Sequence, residues 1–233
     1  MTTKTTSRLI GALFLAGFIV YGVGFGLVTS VIGKPDFLMT ISTTKATLVL
    51  GAFLMLLNTL VDIGKGVLFF PILENHGKRT ALAYLSALTV QVVLLDIGVL
   101  FLLMIVPLGR YAVDAAGASM AWATSLGSLL TLSNSMAYQI GQATLGVGGI
   151  FLCALLFRAR LLPRFLAAWG LIGYVIHVAG AIAEIFGIPI SLVLLIPGGL
   201  FELALGFWLL FKGFQPAAEV QRRKDTVVVM GTA

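Results

Sequence analysis

The chain alternates long apolar stretches with short polar ones, the apolar stretches falling at residues 9–31, 46–73, 80–106, 136–157, 165–186 and 191–211. A bilayer core about 30 Å thick takes about 20 apolar residues in helical form, so the pattern predicts an all-α bundle of six transmembrane helices. Residues 109–135 are mixed rather than continuously apolar, and "AVDAAGASMAWATSLGSLLTLSNS" predicts a short helix lying on the outer membrane surface, with Trp122 as its headgroup anchor. Residues 1–214 then form the transmembrane domain, and 215–233 a short polar tail.

Composition agrees with this pattern. The 233 residues are 59% hydrophobic and 10% charged, with a mean hydropathy of +1.08, whereas soluble domains are roughly 45–50% apolar and about 25% charged. A net charge of +6 does not point to nucleic acid, because the basic residues lie in short clusters between apolar runs rather than on one face. Their distribution orients the chain instead. Lys4, Arg8, Lys78, Arg79, Arg158, Arg160, Arg164, Lys212, Arg222, Arg223 and Lys224 fall on one side of the predicted bundle, and only Lys34, Lys45 and Arg110 on the other. Because Lys and Arg concentrate on the cytoplasmic side, both termini are expected there. The N-terminal apolar stretch follows basic residues, as in a signal peptide, but it is long and has no small-residue cleavage site, so it reads as a retained first span. The single cysteine, Cys153, lies in an apolar run, which rules out an intramolecular disulfide and any CxxC spacing.

Helical spacing gathers the polar and small residues into stripes. One contains Gly51, Met55, Asn58, Asp62, Lys65 and Gly66; others contain Gln139, Gln142, Gly146, Gly149 and Cys153, or Gly173, His177, Gly180 and Glu184. The first span adds Gly17, Tyr21 and Gly24, and the last adds Gly199, Glu202 and Gly206. Lipid solvates leucine as well as a neighbouring helix does, so these stripes are expected to face other helices. Asp62 and Lys65 together cost about 5 to 7 kcal/mol on insertion, against a return of about 5 to 10 from the sixteen Leu, Ile, Val and Phe of residues 46–73. The span inserts with little margin, helped by local pairing of the two charges three residues apart.

Counted from the ends of their spans, Asp62, Asp96, His177 and Glu202 fall at similar depth near the bilayer midplane, and Tyr21 joins them. One lysine cannot neutralise three carboxylates, so these groups are expected to carry protons or to share water, a cation or a ligand. Intramembrane ionisable residues are costly and usually functional. The expected ion or substrate site is therefore Asp62, Lys65, Glu202, His177, Asp96, Asn58 and Tyr21, with Glu184, Gln139 and Gln142 lining the cavity. Before Glu202, "IPGG" removes a backbone donor at Pro197 and lets the last span bend. A bis-histidine haem is excluded because His76 lies in a loop far from His177. No HExxH, GxSxG or Walker pattern occurs, and a metal site from the carboxylates and His177 stays open.

Two segments repeat. "RLIGALFLAGFIVYGVG" aligns with "RFLAAWGLIGYVIHVAG", pairing Gly17 with Gly173, Tyr21 with His177 and Gly24 with Gly180; "LVDIGKGVLFF" aligns with "LFELALGFWLL", pairing Asp62 with Glu202. A duplicated hairpin would be a parallel repeat.

The passages "ALLFRARLLPRFLAAWGLIGYVIHVAG" and "GGLFELALGFWLLFKGFQP", with "SRLIGALFLAGFIVYG" near the start, resemble the bacterial integral membrane family catalogued as domain of unknown function 4386. That resemblance implies an all-helical protein of the bacterial inner membrane, and no activity, cofactor or substrate. It also implies an Arg and then a Glu early in the third span, where this chain has Leu88 and Gln91. The function expected from the residues is proton- or cation-coupled transport or conduction by a polar midplane cavity. The alternatives are an accessory subunit of a larger membrane complex or a homo-oligomer, and a membrane enzyme using His177 and Glu184 on a lipid-like substrate. No nucleic-acid partner is expected.

Overall fold

The structure, a computed structural model, describes residues 3–114 and 118–215. Among these the chain is helical: α1 (Thr3–Ile32), α2 (Ile41–Asp114), α3 (Ala118–Ala159), α4 (Arg164–Ile185) and α5 (Ser191–Phe211). All five helices are long and apolar enough to cross a membrane. The tail expected after residue 215 lies outside the described residues.

At 74 residues, α2 would extend about 110 Å if straight. It instead breaks at Gly77 (φ 171°, ψ 83°), and its second limb runs back along the first. Phe69 meets Tyr84 edge-on with ring centroids 6.1 Å apart, and Gly66 abuts Leu85 and Leu88. The reversal falls in the polar stretch "ENHGKR", where Asn75 Nδ2 donates to the Pro71 carbonyl at 2.8 Å, a local bond of the kind that competes with helix propagation.

The segment expected as a separate surface helix is the beginning of α3, a single helix of 42 residues. Thr124, Ser125, Ser128 and Thr131 each donate a hydroxyl hydrogen bond to the carbonyl four residues earlier, so the polar side chains are satisfied without interrupting the helix. Arg160, at φ 54°, takes the left-handed turn that ends α3, and Pro163 precedes α4. Gly187, at φ 83°, ends α4 in a Schellman turn: its N–H donates to the Glu184 carbonyl at 2.9 Å and that of Ile188 to Ala183 at 3.0 Å.

Each element packs on the next and α5 returns to α1, which closes a ring. Glycines let the backbones approach. A Cβ on Gly24 would stand 2.9 Å from the Gly51 carbonyl oxygen and 3.0 Å from Leu54 Cβ; one on Gly180 would stand 3.3 Å from Ser191 Cα and 2.7 Å from Leu194 Cβ. Likewise Gly17 meets Asn58, and Gly173 meets Gly198. Under the internal alignment these are the same pairs, so α1 with the first limb of α2 and α4 with α5 dock in one register. The outer surface carries exposed Ile19, Leu60, Leu100, Ile172 and Val193, while Asn58, Asp62, Gln91, Gln139, Gln142 and His177 are buried. That apolar-out, polar-in arrangement belongs to a multi-pass membrane protein, not to a soluble domain.

Candidate ligand-binding cavity

The ring encloses a cavity of about 920 Å³ to which all five helices contribute. At one end Phe14 and Tyr84 form part of its wall and meet Phe69 edge-on. Phe69 is fully buried in an apolar cluster with Leu73, Leu156, Phe201 and Leu205, which closes that end. At the other end the wall reaches Thr29 near the end of α1, Lys34 and Pro35 in the turn between α1 and α2, and Ser128 on α3.

Of the residues selected from sequence, Tyr21 on α1, Asn58, Asp62 and Lys65 on α2, Gln139 and Gln142 on α3, His177 on α4 and Glu202 on α5 all line this one cavity. Lys65 Nζ lies 2.6 Å from Asp62 Oδ1 and 4.6 Å from the Phe14 ring centroid. The other carboxylate oxygen, Asp62 Oδ2, accepts from Asn58 Nδ2 at 3.3 Å and from Gln91 Nε2 at 3.4 Å. Asp62 is thus held by a lysine and two amides. Glu202 is held differently: its Oε1 accepts a 2.7 Å hydrogen bond from the Tyr174 hydroxyl, and Lys65 reaches it only through space. His177 Nε2 pairs with Gln142 Oε1 at 3.0 Å. Tyr21 stacks on Tyr138, with ring centroids 6.1 Å apart.

Two expected members lie elsewhere. Asp96 is outside the cavity wall, half-buried beside Thr59 on the first limb of α2. On the second limb the wall is made by Leu88, Gln91, Leu95 and Gly98. Asp96, five residues after Gln91, points about 140° away at about 100° per residue. Glu184 is also outside the wall: its Oε2 accepts from the Ser191 backbone N–H at 3.1 Å, which caps the start of α5. His177 and Glu184 therefore serve different partners and do not form an acid–base pair.

Sequence reasoning missed Tyr174, Gln91, Tyr84 and Tyr138. Tyrosine is common in membrane helices, and nothing along the chain marks Tyr174 as the donor to a carboxylate 28 residues away. Among the described residues, no three His, Cys, Asp or Glu side chains come together as a metal site.

Residues 9–213 match the family described as Domain of unknown function (DUF4386), and the chain belongs to it. No curated protein and no solved structure matches the chain.

Proposed function

We propose that this family member carries a small solute or ion across the bacterial inner membrane, with the central cavity as its binding site. The observation that carries the reading is the convergence of Asp62, Lys65, His177 and Glu202, from three helices, on one cavity that is sealed at one end and extends to a loop at the other. Charged groups placed in a membrane interior are costly and find use in ion and substrate pathways. Six crossings follow if each limb of α2 spans once. In support of an even number, Ser7 Oγ near the start of α1 donates to the Leu209 carbonyl near the end of α5 at 3.2 Å. Lys and Arg are denser at that end of the bundle, which favours a cytoplasmic location for both termini and an outward-facing mouth near Lys34. The N-terminal part of α3, with exposed Trp122, then sits at the outer interface. The matched docking of the two hairpins supplies two similar units, flanking the second limb of α2 and α3, of the kind that rock against each other in alternating access.

The test is flux. Purified protein in liposomes loaded with a pH-sensitive dye should report proton movement under an imposed proton, sodium or potassium gradient, and Glu202→Gln should abolish it. Wild-type liposomes that remain as tight as empty ones under every gradient overturn coupling to these ions.

A further inference from the structure

Building on the cavity as the binding site, we infer that its ligand is an organic monocation, an ammonium group carrying an apolar body, with Glu202 as its counter-ion. Charge is the first reason. Of the ionisable groups deep in the cavity, Asp62, Lys65 and Glu202 carry formal charges that sum to −1, with His177 counted as neutral at pH 7. Lys65 is already engaged, 2.6 Å from Asp62 and over the face of Phe14. Glu202 has a neutral phenol as its hydrogen-bond partner. A carboxylate in such surroundings calls for one positive charge, supplied by a proton or by a ligand.

Hydrogen bonding is the second. Gln91 and Gln139 both line the cavity and are more than nine-tenths buried. Their amide nitrogens are occupied, by Asp62 and by Ser191 Oγ respectively, while both amide oxygens lack a partner. Unfilled buried acceptors cost stability, and a ligand that donates N–H groups could satisfy these two once their amides turn toward the cavity. Among the described residues, the one lysine deep in the cavity is already paired with Asp62, so a carboxylate or phosphate ligand would find no free Lys or Arg there.

The remaining wall sets the ligand's body. Phe14, Phe18, Tyr21, Phe25 and Tyr138 present aromatic surface, which accommodates an apolar group and attracts a cation to the ring faces. A cavity of about 920 Å³ is also of the size that encloses an organic molecule rather than a bare ion. At the rim, Lys34 is exposed to solvent and followed by Asp36, so the mouth is not uniformly positive.

The experiment is equilibrium binding of radiolabelled phenethylammonium to the full-length protein in detergent at neutral pH. Its neutral and anionic counterparts, 2-phenylethanol and 3-phenylpropionate, serve as competitors. Saturable binding is expected, with both competitors weaker by about tenfold or more, the scale of a lost charge-assisted contact. Glu202→Gln should weaken binding to a similar degree and Glu202→Asp should retain most of it. Equal competition by the neutral alcohol overturns the cation assignment and leaves the cavity as a ligand site. Unchanged affinity in a folded Glu202→Gln overturns Glu202 as counter-ion. Ion flux in liposomes without phenethylammonium binding overturns the ligand class alone, whereas absence of both removes the transport reading with it. The selectivity among the three compounds is read on the wild-type protein and does not depend on any variant folding.

Discussion

The two hairpins of this protein dock their helices through equivalent glycines and place a carboxylate at the same position on the cavity wall, yet they treat that carboxylate differently. In the first, Asp62 is fixed by Lys65, Asn58 and Gln91. In the second, the positions equivalent to Lys65 and Asn58 are Leu205 and Gly198, and Glu202 is left with Tyr174. One scaffold therefore carries a carboxylate satisfied by its own chain and another that is still short of a positive charge. Sharing a packing register does not require sharing a chemical role, and the half with fewer internal partners is the one available to a ligand.

Disturbing the satisfied half tests this contrast most severely. Asp62→Asn removes the close partner of Lys65 and should lower stability by about 3 kcal/mol, the scale of breaking a buried ion pair. It also releases Lys65 toward Glu202, so phenethylammonium binding should fall. Adding Lys65→Met should recover both quantities, as read by thermal unfolding in detergent and by equilibrium binding. No recovery in the double variant would mean that the two carboxylates are not distinct in role. A smaller effect is expected at the equivalent glycines. A Cβ at Gly173 would lie 3.0 to 3.2 Å from the backbone of Pro197 and Gly198, whereas one at Gly17 would lie 3.1 Å from the movable end of Asn58. Gly173→Ala should therefore cost about 1 to 3 kcal/mol, and Gly17→Ala less, by the same unfolding measurement. Asp96→Asn should have the smallest effect: ligand affinity unchanged within about twofold, a difference of about 0.4 kcal/mol. A large loss of binding in that variant would bring Asp96 back into the site.

Much of the architecture was legible from apolar run length. The expected final span, 191–211, coincides with α5, and the fifth, 165–186, differs from α4 by one residue at each end. Residues 118–135 were harder to read because Ser and Thr look polar along the sequence, while in the helix their hydroxyls bond to their own backbone. For the site, helical spacing correctly grouped Asn58, Asp62 and Lys65, because residues three and four apart share a face. Depth alone misled at Asp96: two residues at one level of a bundle meet only if their helices are also turned toward each other, and rotation is set by packing partners that a single sequence does not specify. Tyr174 was illegible for a related reason, its role depending on which neighbour lies across from it.

The contact between Ser7 and Leu209, together with the approach of Gly213 to Ser7, brings the start of α1 and the end of α5 to one seam. A polypeptide threaded in another order, with a short peptide bridging that seam and new ends cut in the turn between α1 and α2, would meet the same neighbours at every interface. Circular permutation is thus open to this bundle, and new ends cut in the turn between α1 and α2 would let reporters be fused beside the mouth of the cavity.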